Sequence, residues 1–342
     1  EYYSYSLMKN QLLLLLFLLM ASMTSFAQPL DTLNVYILSE DKSQEGSVSD
    51  FKKTIEEEVR TLLANRKIVS FEMDDCHCPA LKIKQRFDRV FADDKTDIII
   101  ALGAMASAVL AQYPSYPKPA IASIVIDHKL QNIPFTEEGT SGVNNFSYIQ
   151  SPFSFKKDLD ILYRIYPFKN VGIIVPPEFN QIFPNFNEIF NQALDSLNTS
   201  FTVIKAQNSA SATSSAIPAE VDAAYVMPLF DELGEAEMKQ FLDQLADKKL
   251  PSVALLGGSM VEIGALAGYE SEANLAKIPR RLAIDILKIV DGQNAADLPV
   301  KINTFGESIV INMNTVRKVG TYPNWDIVSE AILLNASEVE TD

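Results

Sequence analysis

The sequence predicts an α/β chain of two doubly wound lobes, and three observations carry that expectation. Short Val- and Ile-rich runs alternate with helical stripes along almost the whole chain. The alternation occurs twice, with four runs before Asp127 and four between Asn170 and Leu255. A stretch rich in Gly, Asn, Pro and Thr, from Asp127 to Ser154, separates the two series. Strand–helix alternation with short connections implies right-handed βαβ units in open parallel sheets.

The runs of the first series are Leu33–Leu38, Ile68–Phe71, Asp97–Leu102 and Ala120–Ile126. Those of the second are Val171–Val175, Phe201–Ile204, Ala223–Val226 and Ser252–Leu255. They alternate weakly, as strands buried on both faces do. Between them, Phe51, Ile55, Val59, Leu62 and Leu63 share one helical face, and so do Ile182, Phe186, Ile189, Phe190 and Ala193. Such aromatic and aliphatic stripes are core-facing surfaces. A further strand-like piece, Gly264–Tyr269, precedes a helix at Ile278–Val290, and Ser308–Asn312 follows a Pro/Gly/Asn-rich connection. These last pieces return the chain to the first lobe and cross once more to the second, which makes a three-crossing hinge. The expected boundaries are 1–27 for a leader, 28–145 for lobe 1 (completed by about 264–298), 146–263 for lobe 2 (completed by about 299–330) and 331–342 for an acidic tail.

The leader is read from Lys9, the apolar run Leu12–Met20 and the small-x-small triplet Ser25, Phe26, Ala27. That is the form of a cleaved secretory signal, too short for comfortable membrane spanning. It predicts an exported, periplasmic chain beginning at Gln28. Hydrophobic residues at 47% and charged residues at 21% describe a folded domain. A net charge of −15 disfavours nucleic acid and anionic lipid as partners. Cys76 and Cys78 flank His77, and the other histidine is His128. Too few ligands gather there for a metal site, so the pair reads as a surface dithiol of open redox state.

The sequence has no nucleophile elbow, no phosphate-binding Gly-rich loop and no paired-histidine zinc motif. The expectation is a protein that binds and does not catalyse, with no cofactor. Candidate contacts lie at strand ends. Gly103 and Ala104, between a strand and a helix, can present backbone N–H groups to an anion. Asp127 can accept from an ammonium or a hydroxyl, and Asn144 can donate or accept near the hinge. Pro228 and Asp231 fall on the second lobe, Ser259 and Tyr269 on the opposite rim, where Tyr269 can stack on a planar ligand.

Several segments resemble one substrate-binding family of ABC transporters that includes tryptophan- and tyrosine-binding proteins. Gly264-Ala265-Leu266-Ala267-Gly268-Tyr269-Glu270 is similar to its G-A-L-A-S-Y-G signature. Gly292 to Val300 resembles its G-x-x-x-x-D-I-P-V segment, and Ile309-Val310-Ile311-Asn312 its closing strand. Asp97–Ser107 and Gly142-Val143-Asn144-Asn145 match its earlier strand-turn and first crossing. The resemblance implies the type I periplasmic-binding-protein fold, a monomer closing on a small ligand such as an amino acid, and an ABC permease as membrane partner. A periplasmic regulatory module of an efflux or sensing complex is the alternative. Three stretches depart from the pattern: Ser39–Ser47, Pro228–Asp231 and Gly257–Glu262. All lie where a ligand is held.

Overall fold

The structure is a computed structural model that describes residues 30–40, 47–76, 78–177, 179–195, 197–270, 272–302 and 306–335, with backbone alone at 47–49, 181–182, 230–232 and 272. The expected leader 1–27 and the end of the tail, 336–342, lie outside the described residues.

The first sheet is built from β1 (Thr32–Ser39), β2 (Ile68–Asp75), β3 (Ile98–Leu102), β4 (Ala120–Val125) and β5 (Phe146–Gln150). All five are parallel, in the order β2-β1-β3-β4-β5. Burial on both faces explains the weak alternation of β1, β3, β4 and β5, while the edge strand β2 is largely exposed. In β1, Val35 and Ile37 point to one side, and Tyr36 and Leu38 to the other. The first side is covered by α1 (Ser47–Leu63), through Ile55, Val59 and Leu63. The second is covered by α2 (Ala80–Ala92) and α3 (Ala104–Ala111), through Ile83, Phe87, Ala106 and Leu110.

After β5 the chain enters α4 (Phe155–Ile165), then β6 (Asn170–Val175), α5 (Phe179–Ile182), α6 (Phe186–Asp195), β7 (Ser200–Lys205), α7 (Ala210–Ser215) and β8 (Ala223–Val226). Next come α8 (Phe230–Asp247), β9 (Ser252–Ala254), α9 (Gly258–Glu262) and β10 (Ala267–Tyr269). The short α10 (Glu272–Leu275) and α11 (Lys277–Val290) lead to β11 (Ile309–Asn312), α12 (Met313–Val319), α13 (Trp325–Glu330) and β12 (Ile332–Leu334). The second sheet has the order β12-β11-β10-β9-β8-β6-β7. β6 to β10 are parallel, and β11 runs antiparallel to β10 with β12 parallel to β11. One face packs on α4 and α6 through a dense set of rings, with Phe155, Phe186, Phe190, Phe201 and Tyr225 in mutual contact. The other packs on α8 through Met238, Phe241, Leu242 and Leu245.

The chain passes between the sheets three times: after β5, after β10 and before β11. The middle pass places α11 on lobe 1, where Ile278, Leu282 and Ile286 pack with Ile55 and Val59 of α1. The final pass is tied to lobe 1 where Gln150 N–H donates to the Val300 carbonyl at 2.8 Å.

Three details differ from the sequence expectation. Phe146–Gln150 is the last strand of the first sheet, so lobe 1 extends past residue 145. Gly264–Tyr269 contributes β10 to the second sheet, and only the helix after it returns to lobe 1. The expected tail, 331–342, begins with an ordered strand, β12. Cys76 and Cys78 are joined as a disulfide with Cα atoms 5.2 Å apart, within the ordinary range. Cys76 is buried rather than part of a surface dithiol.

Candidate functional site

An open parallel sheet offers its ligand groups beyond the C-terminal strand ends, at the point where strand order reverses. In lobe 1 that point lies between β1 and β3, and in lobe 2 between β6 and β8. The two carboxyl edges face each other across the passes, and loops from both edges form the cleft between the lobes.

At the lobe 1 switch point, Gly103 turns β3 into α3 with φ +114°, and Ala104 opens the helix. The expected anion-binding N–H groups are there, but the chain's own Glu40 engages them. Its Oε1 accepts from Ala104 N–H at 3.0 Å and its Oε2 from Ala106 N–H at 2.9 Å. Asp127 follows β4 and caps its own turn, with Oδ1 accepting from Lys129 N–H at 2.8 Å and Leu130 N–H at 2.9 Å. Asn144 stands at the opposite end of the sheet, before β5, and its Oδ1 accepts from Asn294 Nδ2 at 2.7 Å. It ties two loops of lobe 1 together and is remote from the cleft, because the strand that follows it runs towards the cleft.

On lobe 2, Pro228 is half-buried directly after β8, at the switch point. The Asp231 side chain lies outside the described residues. Ser259 is exposed on α9, and its hydroxyl donates back to the Leu256 carbonyl at 3.2 Å. Tyr269 is half-buried at the end of β10. Gly257, at φ +60°, passes so close to it that a Cβ would fall 2.1 Å from the Tyr269 carbonyl oxygen. A recess of about 10 Å³, the size of one water, is lined by Tyr269, Asp158, Lys157 and Glu307 beside the first and last passes. Lys157 pairs with Glu307 at 2.9 Å, and its ammonium lies 5.9 Å from the Tyr269 ring centre.

The larger opening is a cavity of about 510 Å³ between the lobes. His128, Lys129, Asn132, Ile133 and Phe135 of lobe 1 line one wall, and Asn185, Glu188, Ile189 and Gln192 of lobe 2 the other. This volume suits a small solute. The His128 ring stacks on Phe135 at 4.6 Å, and Lys301 from the last pass lies 5.2 Å from the Phe135 ring centre. Burial first, against the pull of Asp127, lowers the His128 pKa, which keeps the imidazole neutral near pH 7. Close by at the β4 and β5 ends, buried polar atoms of Gln131 (Nε2), Tyr148 (Oη) and Ser151 (Oγ) have no hydrogen-bond partner among the described residues. Unpartnered buried polar atoms in a cleft are groups that water or a ligand can satisfy.

The lobes also touch directly. Asn185 donates from Nδ2 to the Lys129 carbonyl at 3.0 Å. One apolar cluster spans both lobes, joining Ala108, Ile126 and Leu130 to Phe155, Phe179 and Phe183. The structure therefore gathers Gly103 and Ala104 with Glu40, and Pro228, Ser259 and Tyr269 along the lobe 2 edge. Among the described residues, none of the expected contacts lines the 510 Å³ cavity, whose walls come from the loop after β4 and the start of α6. His128, one residue after Asp127, is the one wall residue that strand-end position marks in the sequence. Among the described residues, no three His, Cys, Asp or Glu side chains are placed to hold a metal.

No family profile matches the sequence, and no curated protein matches it. Solved structures match in fold. An ABC domain in complex with L-Trp from Streptococcus pneumonia superposes with a TM-score of 0.67 at 16% identity, over 88% of this chain and 100% of that one. A conserved domain protein from Vibrio cholerae gives a TM-score of 0.68 at 15% identity, over 89% of this chain and 99% of that one. A periplasmic binding protein of type 1 from Bordetella pertussis gives 0.52 at 16% identity, over 73% and 74%. The chain has the type I periplasmic-binding-protein fold, as the resemblance implies, and its two parallel-sheet lobes are those the duplicated strand pattern predicts.

Proposed function

We propose that this chain is an extracytoplasmic solute-binding protein of an ABC transporter, working as a monomer that closes on one small molecule and passes it to a membrane permease. The observation that carries the reading is the 510 Å³ cavity, walled by both lobes at their carboxyl edges and bounded by a hinge of three passes. A solute touching both walls stabilises the closed arrangement over the open one, which is the whole of the mechanism. No catalytic step is assigned. The leader read at 1–27 supports export to the periplasm, and the L-Trp-bound fold relative keeps amino acids among the solutes to be tried.

The test is a thermal-shift panel of amino acids, amino-acid amides, sugars, cyclitols and nucleosides on the purified protein. A true solute at about 100 times its Kd adds about 2.7 kcal/mol of stability, a shift of several degrees. A panel with no responder, on protein first stripped of bound solute by unfolding and refolding, contradicts the proposal.

A further inference from the structure

The three passes converge on one recess at the lobe 2 end of the hinge. Phe153 and Ser154 of the first pass line it, with Tyr269, where the middle pass leaves β10, and Glu307, where the last pass reaches β11. Asp158 of α4 belongs to the same lining and is only 4% exposed. The titratable and charged side chains that face it are Tyr225 from β8, Tyr269 from β10, Glu307 from the last pass and Lys157 from α4 itself. The Tyr225 hydroxyl donates to Asp158 Oδ2 at 2.8 Å, while the Lys157 ammonium is engaged by Glu307 at 2.9 Å. The Glu307 side chain is itself only 6% exposed. A carboxylate formed at Asp158 therefore loses water and stands beside a second, largely buried carboxylate. Burial, opposed by the Tyr225 hydrogen bond and reinforced by the Glu307 charge, pushes its pKa up to about 8.

We propose that the hinge carries a proton switch: Asp158 is neutral while the three passes pack together, and its ionisation drives Glu307 and the last pass away from α4, so that the lobes open. The proton leaves the carboxyl for solvent through the recess, whose volume of about 10 Å³ admits one water molecule. The charge left behind repels Glu307 and gains hydration when the recess widens, so it favours the arrangement that separates the passes. By linkage, the open arrangement has the lower Asp158 pKa, and closure takes up a proton near pH 8.

Solution X-ray scattering of the full chain without solute tests this, as a titration from about pH 7 to about pH 9.5 at constant ionic strength. In that window ordinary carboxylates and lysines keep their charge. Burial-lowered His128 stays neutral there, and Asp285, raised to about 6, stays ionised. The wild-type radius of gyration should rise with a midpoint near pH 8, and Asp158→Asn should hold the compact value throughout. Two more variants move the midpoint in opposite directions, each by about half a pH unit or more. Glu307→Gln removes the repelling charge and lowers it, whereas Tyr225→Phe removes the hydrogen bond that favours the carboxylate and raises it. Wild-type curves that superimpose across the window overturn the proposal, and so does a rise that Asp158→Asn shares. A rise accompanied by loss of far-ultraviolet dichroism reports unfolding and overturns it as well. If Asp158→Asn does not fold, the two midpoint shifts decide: a midpoint unmoved in both variants assigns the transition to another group. Because no solute is present, failure here leaves the solute-binding reading standing, and failure of that reading leaves this result intact.

Discussion

Burial of Asp158 beneath the first pass leaves its carboxyl facing the Tyr225 hydroxyl, which donates to Oδ2 at 2.8 Å. Desolvation outweighs that hydrogen bond and pushes the pKa up to about 8. The folded protein thus holds a proton that the unfolded chain releases above its ordinary value of 3.8. Stability accordingly falls as pH rises from about 4 towards 8, and is level above that. Asp158→Asn keeps an acceptor for Tyr225 and carries no charge. Urea unfolding at pH 5 and pH 8 should show wild type losing a few kcal/mol, at about 1.4 kcal/mol per pH unit, and the variant keeping its stability. Gly103→Ala should cost about 2 kcal/mol or more, since φ +114° disfavours a side chain and the new Cβ collides with Glu40. Equal stability of Gly103→Ala and wild type in the same assay refutes the tight turn. At this scale the sequence identifies the turn at Gly103 and Ala104, but not its occupant. Nothing in a single sequence says that Glu40, on a stretch with no motif, folds back onto a helix that begins 64 residues later. Asn144 is misplaced for a related reason: the glycine-rich run before it reads as a crossing, which hides the strand that starts two residues on.

The helix α11 shows how an element of lobe 1 is held in register with the last pass. Arg281 donates through Nε to both oxygens of the buried Asp285 at 2.9 Å, through Nη1 to the Lys301 carbonyl at 3.2 Å, and through Nη2 to the Pro299 carbonyl. Burial raises the Asp285 pKa to about 6 in spite of the guanidinium. Arg281→Ala strands a fully buried carboxyl and frees two carbonyls, and should destabilise the protein by about 3 kcal/mol in urea unfolding. Arg281→Lys should recover little of this, because a point charge cannot replace the planar fork. A near-neutral Arg281→Ala would remove this clamp from the account. Elements with strong periodicity are the legible ones: Phe186 and Phe190 sit in the core that their spacing predicts, and the strands Val171–Val175 and Ala223–Val226 appear nearly as read. Short edge pieces are not. β12 has three residues and only one neighbouring strand, so its sequence carries little more than a turn's worth of pattern.

For the molecule as a whole, the double alternation marks eight of the strands in the two sheets, while the cavity is invisible in the sequence. Its walls come from the loop His128–Phe135 and from Asn185 with the first turns of α6, whose juxtaposition depends on how the lobes meet. They meet through an apolar seam in which Leu130 of lobe 1 joins Phe179 and Phe183 of lobe 2. A charge in that seam favours the open arrangement, so Leu130→Asp should weaken solute binding by about ten-fold or more without unfolding either lobe. Near-wild-type affinity in Leu130→Asp would mean that the seam takes no part in closure. Closure itself is the most direct measurement. Solution X-ray scattering is recorded on stripped protein, alone and with a saturating amount of whichever solute the thermal panel identifies. The account predicts a smaller radius of gyration with solute and a curve that fits two lobes drawn together. Superimposable curves, with the solute demonstrably bound, would contradict it.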